Sequence, residues 1–351
     1  MLCIFIIGIY NMNNKNTNET RSLILEYIWL DGKMNLRSKY KTIKINDNDL
    51  NIDQWTYNGK STYQIDSDDS EVILNPIAFY NNPFFEKGQS LLVLCDTFYE
   101  RNTKFVPTST NRRILAREIF LKRKELEPWF ELKQEYFMMC NEYTYSSSTP
   151  LFFKNPKQPK EQGDYYCGVG NQNIIMRSLA EKHYLFCITA GISISGMNAE
   201  IAPNQWRFKI GPCVGISAGD ELILARYILM KLSEQFGVDI CFKPKPLQSP
   251  WNYSGLHVNF STTETRDNDG IGKLNTYIQN LNCKHIEHMS VYGDNSEKIN
   301  PRLENSNINV AIPNKVNRDK KGYLKDNRAL SDADPYIVIA KIFDTCCISI
   351  E

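Results

Sequence analysis

The chain has 351 residues, 42% hydrophobic and 23% charged, which suits one large or two ordinary globular domains and excludes a disordered or collagen-like polymer. With 41 Lys and Arg against 40 Asp and Glu, the formal net charge is +1, so no broad field draws it to nucleic acid or anionic lipid, and neither is expected as a partner. The apolar run Leu2 to Ile9 falls short of the ~20 residues a bilayer span needs, and no basic n-region or small-residue cleavage site marks a signal peptide. Ten cysteines without a CxxC pair read as free thiols in a reducing compartment, so a cytoplasmic location is expected.

In chain order, residues 1–21 read as a variable tail with an Asn-rich stretch, Asn11 to Asn18. From Ser22 to Lys44 the runs LILEYIWL and YKTIKI flank the turn-forming DGKMN, and Trp55 to Thr62 adds aromatic and turn residues, so a small strand-rich domain is expected. Leu91 to Cys95 reads as a buried strand and Asn111 to Leu126 as a helix, with a domain boundary near Pro107 between them. A second helical pattern covers roughly residues 173–190. The clearest helix is Ala218 to Phe236: Leu222, Ala225, Ile228, Leu229 and Leu232 recur at helical spacing. Ser217 is its expected N-cap with Asp220 completing a capping box, and Gly237 closes it. A strand-like VDICFKP follows, and Asp334 to Ile348 reads as a last helix.

No Walker loop, GxGxxG, HExxH or GxSxG occurs, so the chemistry is sought among acids and the four histidines, His183, His257, His285 and His288. The run Cys283 to His288 has metal-ligating residue types but no second ligand pair, and exposed helix residues are expected there rather than zinc. In Ser254 to Ser261, strand alternation sets Leu256, Val258 and Phe260 on one face and His257, Asn259 and Ser261 on the other, a row suited to ligand contact.

The segments Tyr165 to Gly170, Asn198 to Glu200, Pro203 to Trp206, Ile210 to Cys213, Phe242 to Pro246, His257 to Thr262 and Lys320 to Tyr323 occur in an order and spacing that resembles eukaryotic-type glutamine synthetase across residues 22 to 348. The resemblance implies an α+β protein with an N-terminal β-grasp domain, residues 22–106, and a larger catalytic-type domain, residues 107–351. It also implies ring oligomers, either of this chain alone or mixed with a related subunit. The family's reaction joins glutamate and ammonia at the expense of ATP, with Mg or Mn as metal. On this resemblance Glu135, Glu200 and His257 fall on metal-ligand positions, Asn259 and Ser261 near the nucleotide, Asn252 near glutamate, and Glu304 on the acid of a flap.

The departures point away from ordinary turnover. Carboxylates expected at three metal positions are Lys133, Arg207 and Lys325, and the acid expected to hold ammonium is Asn58. Arginines expected near the phosphates fall on Ala311 and Asn327, with Arg328 left beside the latter as a catalytic candidate. Tyr253 stands where a glycine is expected, and Gly211, Gly255 and Gly322 read as turn or close-packing positions. Cations repel a dication as well as failing to ligate it, so metal binding is not expected. A noncatalytic or strongly impaired relative of the ligase is the favoured reading. The alternatives are an active synthetase with an altered metal shell, or a nucleotide- or amino-acid-binding regulatory protein in which Lys133 and Lys325 replace a metal as charge partners of a nucleotide.

Overall fold

The computed structural model describes residues 20–46, 50–66, 71–140, 163–170, 174–247, 251–293 and 309–349. Two compact units divide the chain, residues 1–114 with 189–192, and residues 115–188 with 193–351.

In the first unit β1 (Arg21–Leu30), β2 (Leu36–Ile45), β3 (Trp55–Asn58), β4 (Glu71–Asn81), β5 (Ser90–Arg101) and β6 (Lys104–Pro107) form one sheet in the order β2-β1-β5-β4-β3, with β6 on β5. All pairings are antiparallel except β1 with β5, where Ile24 to Ile28 run parallel to Ser90 to Leu94. Alternation along β1 sends Leu23, Leu25, Tyr27 and Trp29 into one core with Leu74, Leu91 and Val93. β2 forms one edge of this sheet, and its Lys39 ammonium donates to the Thr56 carbonyl at 2.7 Å and lies 3.4 Å from the Trp55 ring centre on β3.

The second unit begins in α1 (Arg112–Lys122) and continues through β7 (Trp129–Cys140), α2 (Arg177–Ala190), β8 (Ile194–Ala199), β9 (Gln205–Val214), α3 (Ser217–Phe236) and β10 (Val238–Cys241). There follow β11 (Gly255–Ser261), α4 (Thr263–Arg266), α5 (Ile271–Cys283), α6 (His285–Met289), β12 (Val310–Ala311), α7 (Asn314–Asp319), β13 (Leu324–Leu330) and α8 (Pro335–Phe343). Its sheet runs β12-β13-β11-β7-β9-β8 with β10 on β7, antiparallel throughout. One face is apolar. Phe130 and Phe260 stack at 5.0 Å, and Phe343 of α8 lies 6.5 Å from Phe260 and 5.2 Å from Phe120 of α1. The opposite face carries the polar members of the same alternating strands.

Three local expectations change. Ser217 does not cap α3: its hydroxyl donates to the Val214 carbonyl at 2.7 Å, and Asp220 instead accepts from the Tyr336 hydroxyl at 2.7 Å, so packing of α8 takes the carboxylate a capping box would use. Gly237 does close the helix in the left-handed conformation. His288 is buried rather than exposed, with its ring nitrogens 2.7 Å from the Tyr292 hydroxyl and 2.9 Å from the Thr345 hydroxyl. Among the described residues no helix is long and apolar enough to cross a membrane.

Candidate functional site

The polar face of the second sheet forms a grid fixed by strand register. Glu135 of β7 lies opposite Arg207 of β9, which lies opposite Asn198 of β8. One step along, His257 of β11 faces Lys133 of β7, which faces Lys209 of β9, which faces Gly196 of β8. In the next row Ala311, Lys325, Asn259 and Glu131 are neighbours across β12, β13, β11 and β7. Period-two side-chain alternation puts all these residues on one surface.

At one end of the grid a guanidinium joins two carboxylates. Arg207 Nη2 donates to Glu135 Oε1 at 2.5 Å, and its Nε lies 3.1 Å from Glu200 Oε1 as an ion-pair contact. The second Glu135 oxygen accepts the Gly255 backbone N–H at 2.9 Å, and Glu200 Oε1 accepts Asn198 Nδ2 at 2.7 Å. The two carboxylates are 3% and 4% exposed, so water supplies little of their solvation. Burial raises the Glu200 carboxyl above its usual range while Arg207 pulls the other way. Burial also opposes the charge of Arg207, but Glu135 and Glu200 outweigh it and hold the guanidinium protonated.

The middle of the grid is cationic. Lys133 Nζ lies 3.4 Å from Glu131 Oε1 and 3.5 Å from Asn259 Oδ1, while Asn259 Nδ2 donates to Glu131 at 2.9 Å. Burial lowers the Lys133 pKa; Glu131 resists this, and the charges of Lys325 and Lys209 add to it. Gly255 leaves room for the His257 ring, since a Cβ there would stand 2.8 Å from Nε2.

The remaining expected residues have other partners. Ser261 accepts from Arg266 Nη1 at 3.1 Å. Tyr253, next to Asn252, has its hydroxyl 2.9 Å from Lys245 Nζ and its carbonyl 3.2 Å from Gln205 Nε2. Asn58, in the first unit, accepts the Ser61 N–H at 2.9 Å. Glu304 lies outside the described residues. Arg328 is on the opposite side of β13 from Lys325 and Asn327. It is buried with Nη2 2.7 Å and Nε 2.9 Å from Asp326, and Nη1 reaches the Leu281 carbonyl at 3.1 Å. That arrangement is a buried ion pair between neighbours on β13.

Residues 108–280 match the family described as "Glutamine synthetase, catalytic domain". The chain is 37% identical over 350 residues to the glutamine synthetase of Emericella nidulans, an alignment spanning 96% of each chain. The chain belongs to the glutamine synthetase family. It is also 38% identical over 347 residues to glutamine synthetase of Saccharomyces cerevisiae, covering 94% of this chain and 90% of that one. With glutamine synthetase PR-1 of Phaseolus vulgaris it shares 39% over 352 residues, 95% of this chain and 96% of the relative. The cryo-EM structure of Plasmodium falciparum glutamine synthetase superposes with a TM-score of 0.68 at 12% identity, covering 98% of this chain and 74% of that one, a likeness of fold.

A divalent ion does not fit the donor set this glutamine synthetase family member presents. Magnesium needs near-octahedral oxygen ligands at about 2.0–2.1 Å. Here the two acids already share a guanidinium, and His257 neighbours Lys133 across the strands. Among the described residues no group of three His, Cys, Asp or Glu is placed to hold a metal. Lys209 and Glu131 have no counterpart in the sequence expectations, and Asn198 enters them only within the segment Asn198 to Glu200, with no contact assigned to it. The signal for Lys209 was available in QWRFKI, where period-two alternation puts Arg207 and Lys209 on the same face.

Proposed function

We propose that the protein is a glutamine synthetase family member whose glutamate-ammonia ligase chemistry is absent or strongly impaired, and that it acts through the retained scaffold. The observation that carries this reading is the Arg207 guanidinium bound between Glu135 and Glu200. Phosphoryl transfer from ATP needs divalent ions to neutralise the phosphates and hold them in line, and an arginine tied to two buried acids supplies neither function. Lys133 and Lys325 at the other implied metal positions are point charges without fixed multi-ligand geometry. Asn58, in place of the acid for ammonium, can neither attract that cation by charge nor accept its proton.

On the same reading, residues 22–106 are the β-grasp domain and residues 107–351 the catalytic-type domain of a cytoplasmic, ring-forming homo-oligomer or an assembly mixed with a related subunit. Phosphate release by folded full-length protein, with glutamate, ammonia, ATP and saturating Mg or Mn, tests the central claim. The expected rate equals that of a Glu135→Ala, Glu200→Ala control. Release that requires both glutamate and ammonia and disappears in the control would overturn the noncatalytic reading.

A further inference from the structure

Asn58–Gly59 is the only Asn-Gly pair in the chain, and it stands where β3 ends. Asn58 is exposed and takes the last ladder position, opposite Glu71 of β4. The chain then turns: Gly59 has φ −71° and ψ −25°, and its carbonyl accepts the N–H groups of Thr62 at 3.3 Å and Gln64 at 2.9 Å. Among the described residues the Gly59 N–H makes no hydrogen bond. The Asn58 side chain is held over the same turn, its Oδ1 accepting the Ser61 N–H at 2.9 Å. An unengaged N–H on a residue without a Cβ, directly after an exposed carboxamide, lets a backbone nitrogen approach a side-chain carbonyl carbon with little steric screening.

We propose that Asn58 is a modification site, converted to an acid by intramolecular deamidation. The Gly59 nitrogen gives up its proton and attacks Asn58 Cγ; the N–Cγ bond forms, the Cγ–Nδ2 bond breaks, and the amide nitrogen takes up that proton and leaves as ammonia. Water opens the resulting succinimide, its oxygen entering one of the ring carbonyls and a proton returning to the Gly59 nitrogen, so residue 58 ends as aspartyl or isoaspartyl. Overall a carboxamide and a water become a carboxylic acid and an ammonia, with nothing oxidised or reduced. The Ser61 N–H draws charge from Cγ through Oδ1 and stabilises the oxyanion that attack creates there. It afterwards serves the aspartyl carboxylate as a stronger, charge-assisted donor. The new charge stands opposite Glu71, a like-charge pair that loosens the end of β3. The inference deepens the proposed function, which counts position 58 among the lost acids: it rests on that reading for its consequence, an acid supplied after synthesis, but not for its chemistry.

Peptide-mapping mass spectrometry of folded full-length protein, warmed for days at neutral pH in water enriched in heavy oxygen and then digested in ordinary acidic water, is the test. The expected result is a growing fraction of the peptide holding Asn58 that carries the mass of an amide-to-acid exchange together with one heavy oxygen, rising faster at mildly alkaline pH because the Gly59 nitrogen must lose its proton. Exposed Asn35, followed by Leu36 in the same unit, should stay an amide over that time and serves as the internal standard. A Gly59→Ala variant should slow conversion severalfold; φ −71° is open to alanine, so the turn itself does not require glycine. Should that variant not fold, the comparison of Asn58 with Asn35 in native protein decides. No heavy oxygen at position 58, conversion no faster than at Asn35, or an unchanged rate in folded Gly59→Ala protein would overturn the proposal. Phosphate release is read separately on fresh and converted protein: turnover in either overturns the noncatalytic reading for that form and leaves the deamidation result untouched.

Discussion

Replacing Arg207 by Met removes every donor that joins Glu135 to Glu200 while keeping an unbranched stem. Two carboxylates that are nearly excluded from water would then face each other, with only the Gly255 N–H and Asn198 amide left as described partners. Removing one member of a buried ion pair typically costs about 3–5 kcal/mol. Arg207 is itself 19% exposed, so water can partly replace it and the lower end, about 3 kcal/mol, is expected. For a unit of this size that is a fall of about 6–12 °C in melting temperature. The same variant should gain a response to Mn, since the acids regain a need for a cation: at a concentration about 100 times its Kd the ion would restore about 2.7 kcal/mol. Native protein should not respond. Differential scanning calorimetry with and without Mn, together with Mn titration followed by paramagnetic resonance, measures both effects. A variant that melts within about 1 °C of native protein, or native protein stabilised equally by Mn, would refute the claim that Arg207 is the resident cation.

Two further perturbations test buried chemistry away from this pair. Burial pushes His183 down to about 4, and burial followed by the charge of Arg328 pushes His288 down to about 3. Both stay neutral in the fold while the unfolded chain takes protons below about 6.5, so stability is lost as pH falls from there towards the folded values. Between pH 7 and 5 the expected loss is about 2 kcal/mol per histidine, measurable by denaturant titration and halved in a folded His183→Gln variant; no such change would contradict the assigned neutral state. In the first unit Asp31 accepts from the Lys33 and Asn35 N–H groups at 2.8 and 2.9 Å and from Arg37 Nε at 2.9 Å. Burial raises its pKa, but these bonds together hold it below the usual value. Asp31→Asn should cost about 2 kcal/mol at neutral pH, with the difference from native protein shrinking below pH about 3.9, as the native carboxyl also becomes protonated. A difference that persists undiminished at low pH would assign the loss to packing.

The alternation in Gly255–Ser261 made one face of β11 legible, because the apolar members all require the same core. The identities of Lys133, Arg207 and Lys325 were equally plain as departures, but their consequence was not. Repulsion of a metal is a property of charge type alone, whereas the bridge from Arg207 to Glu135 and Glu200 depends on three segments meeting across strands. Arg328 shows the opposite limit. A position beside an expected arginine cannot reveal that β13 turns its side chain to Asp326, and a register shift where β11 passes from Leu256 to Val258 further separates position in sequence from position on the face. His288 escaped for a related reason: α6 spans only His285–Met289, too short for a periodic pattern to reveal its buried side; Tyr292 lies just beyond its end, and Thr345 comes from a distant part of the chain.

The parallel pairing of β1 with β5 sets a timetable for synthesis. Ile24 to Ile28 cannot acquire their neighbours Ser90 to Leu94 until roughly 65 more residues have been added, a delay of about 3–13 s at about 5–20 residues per second, plus passage through the ribosomal tunnel. During that interval β1 can form its hairpin with β2, but Leu23, Leu25, Tyr27 and Trp29 lack the β5 half of their core. The nascent chain therefore presents an aromatic, β-forming edge before its own strand can cover it. Slower elongation through residues 46–89 would lengthen this exposure, making the protein's yield sensitive to translation speed and to holding chaperones even when the completed fold is unchanged.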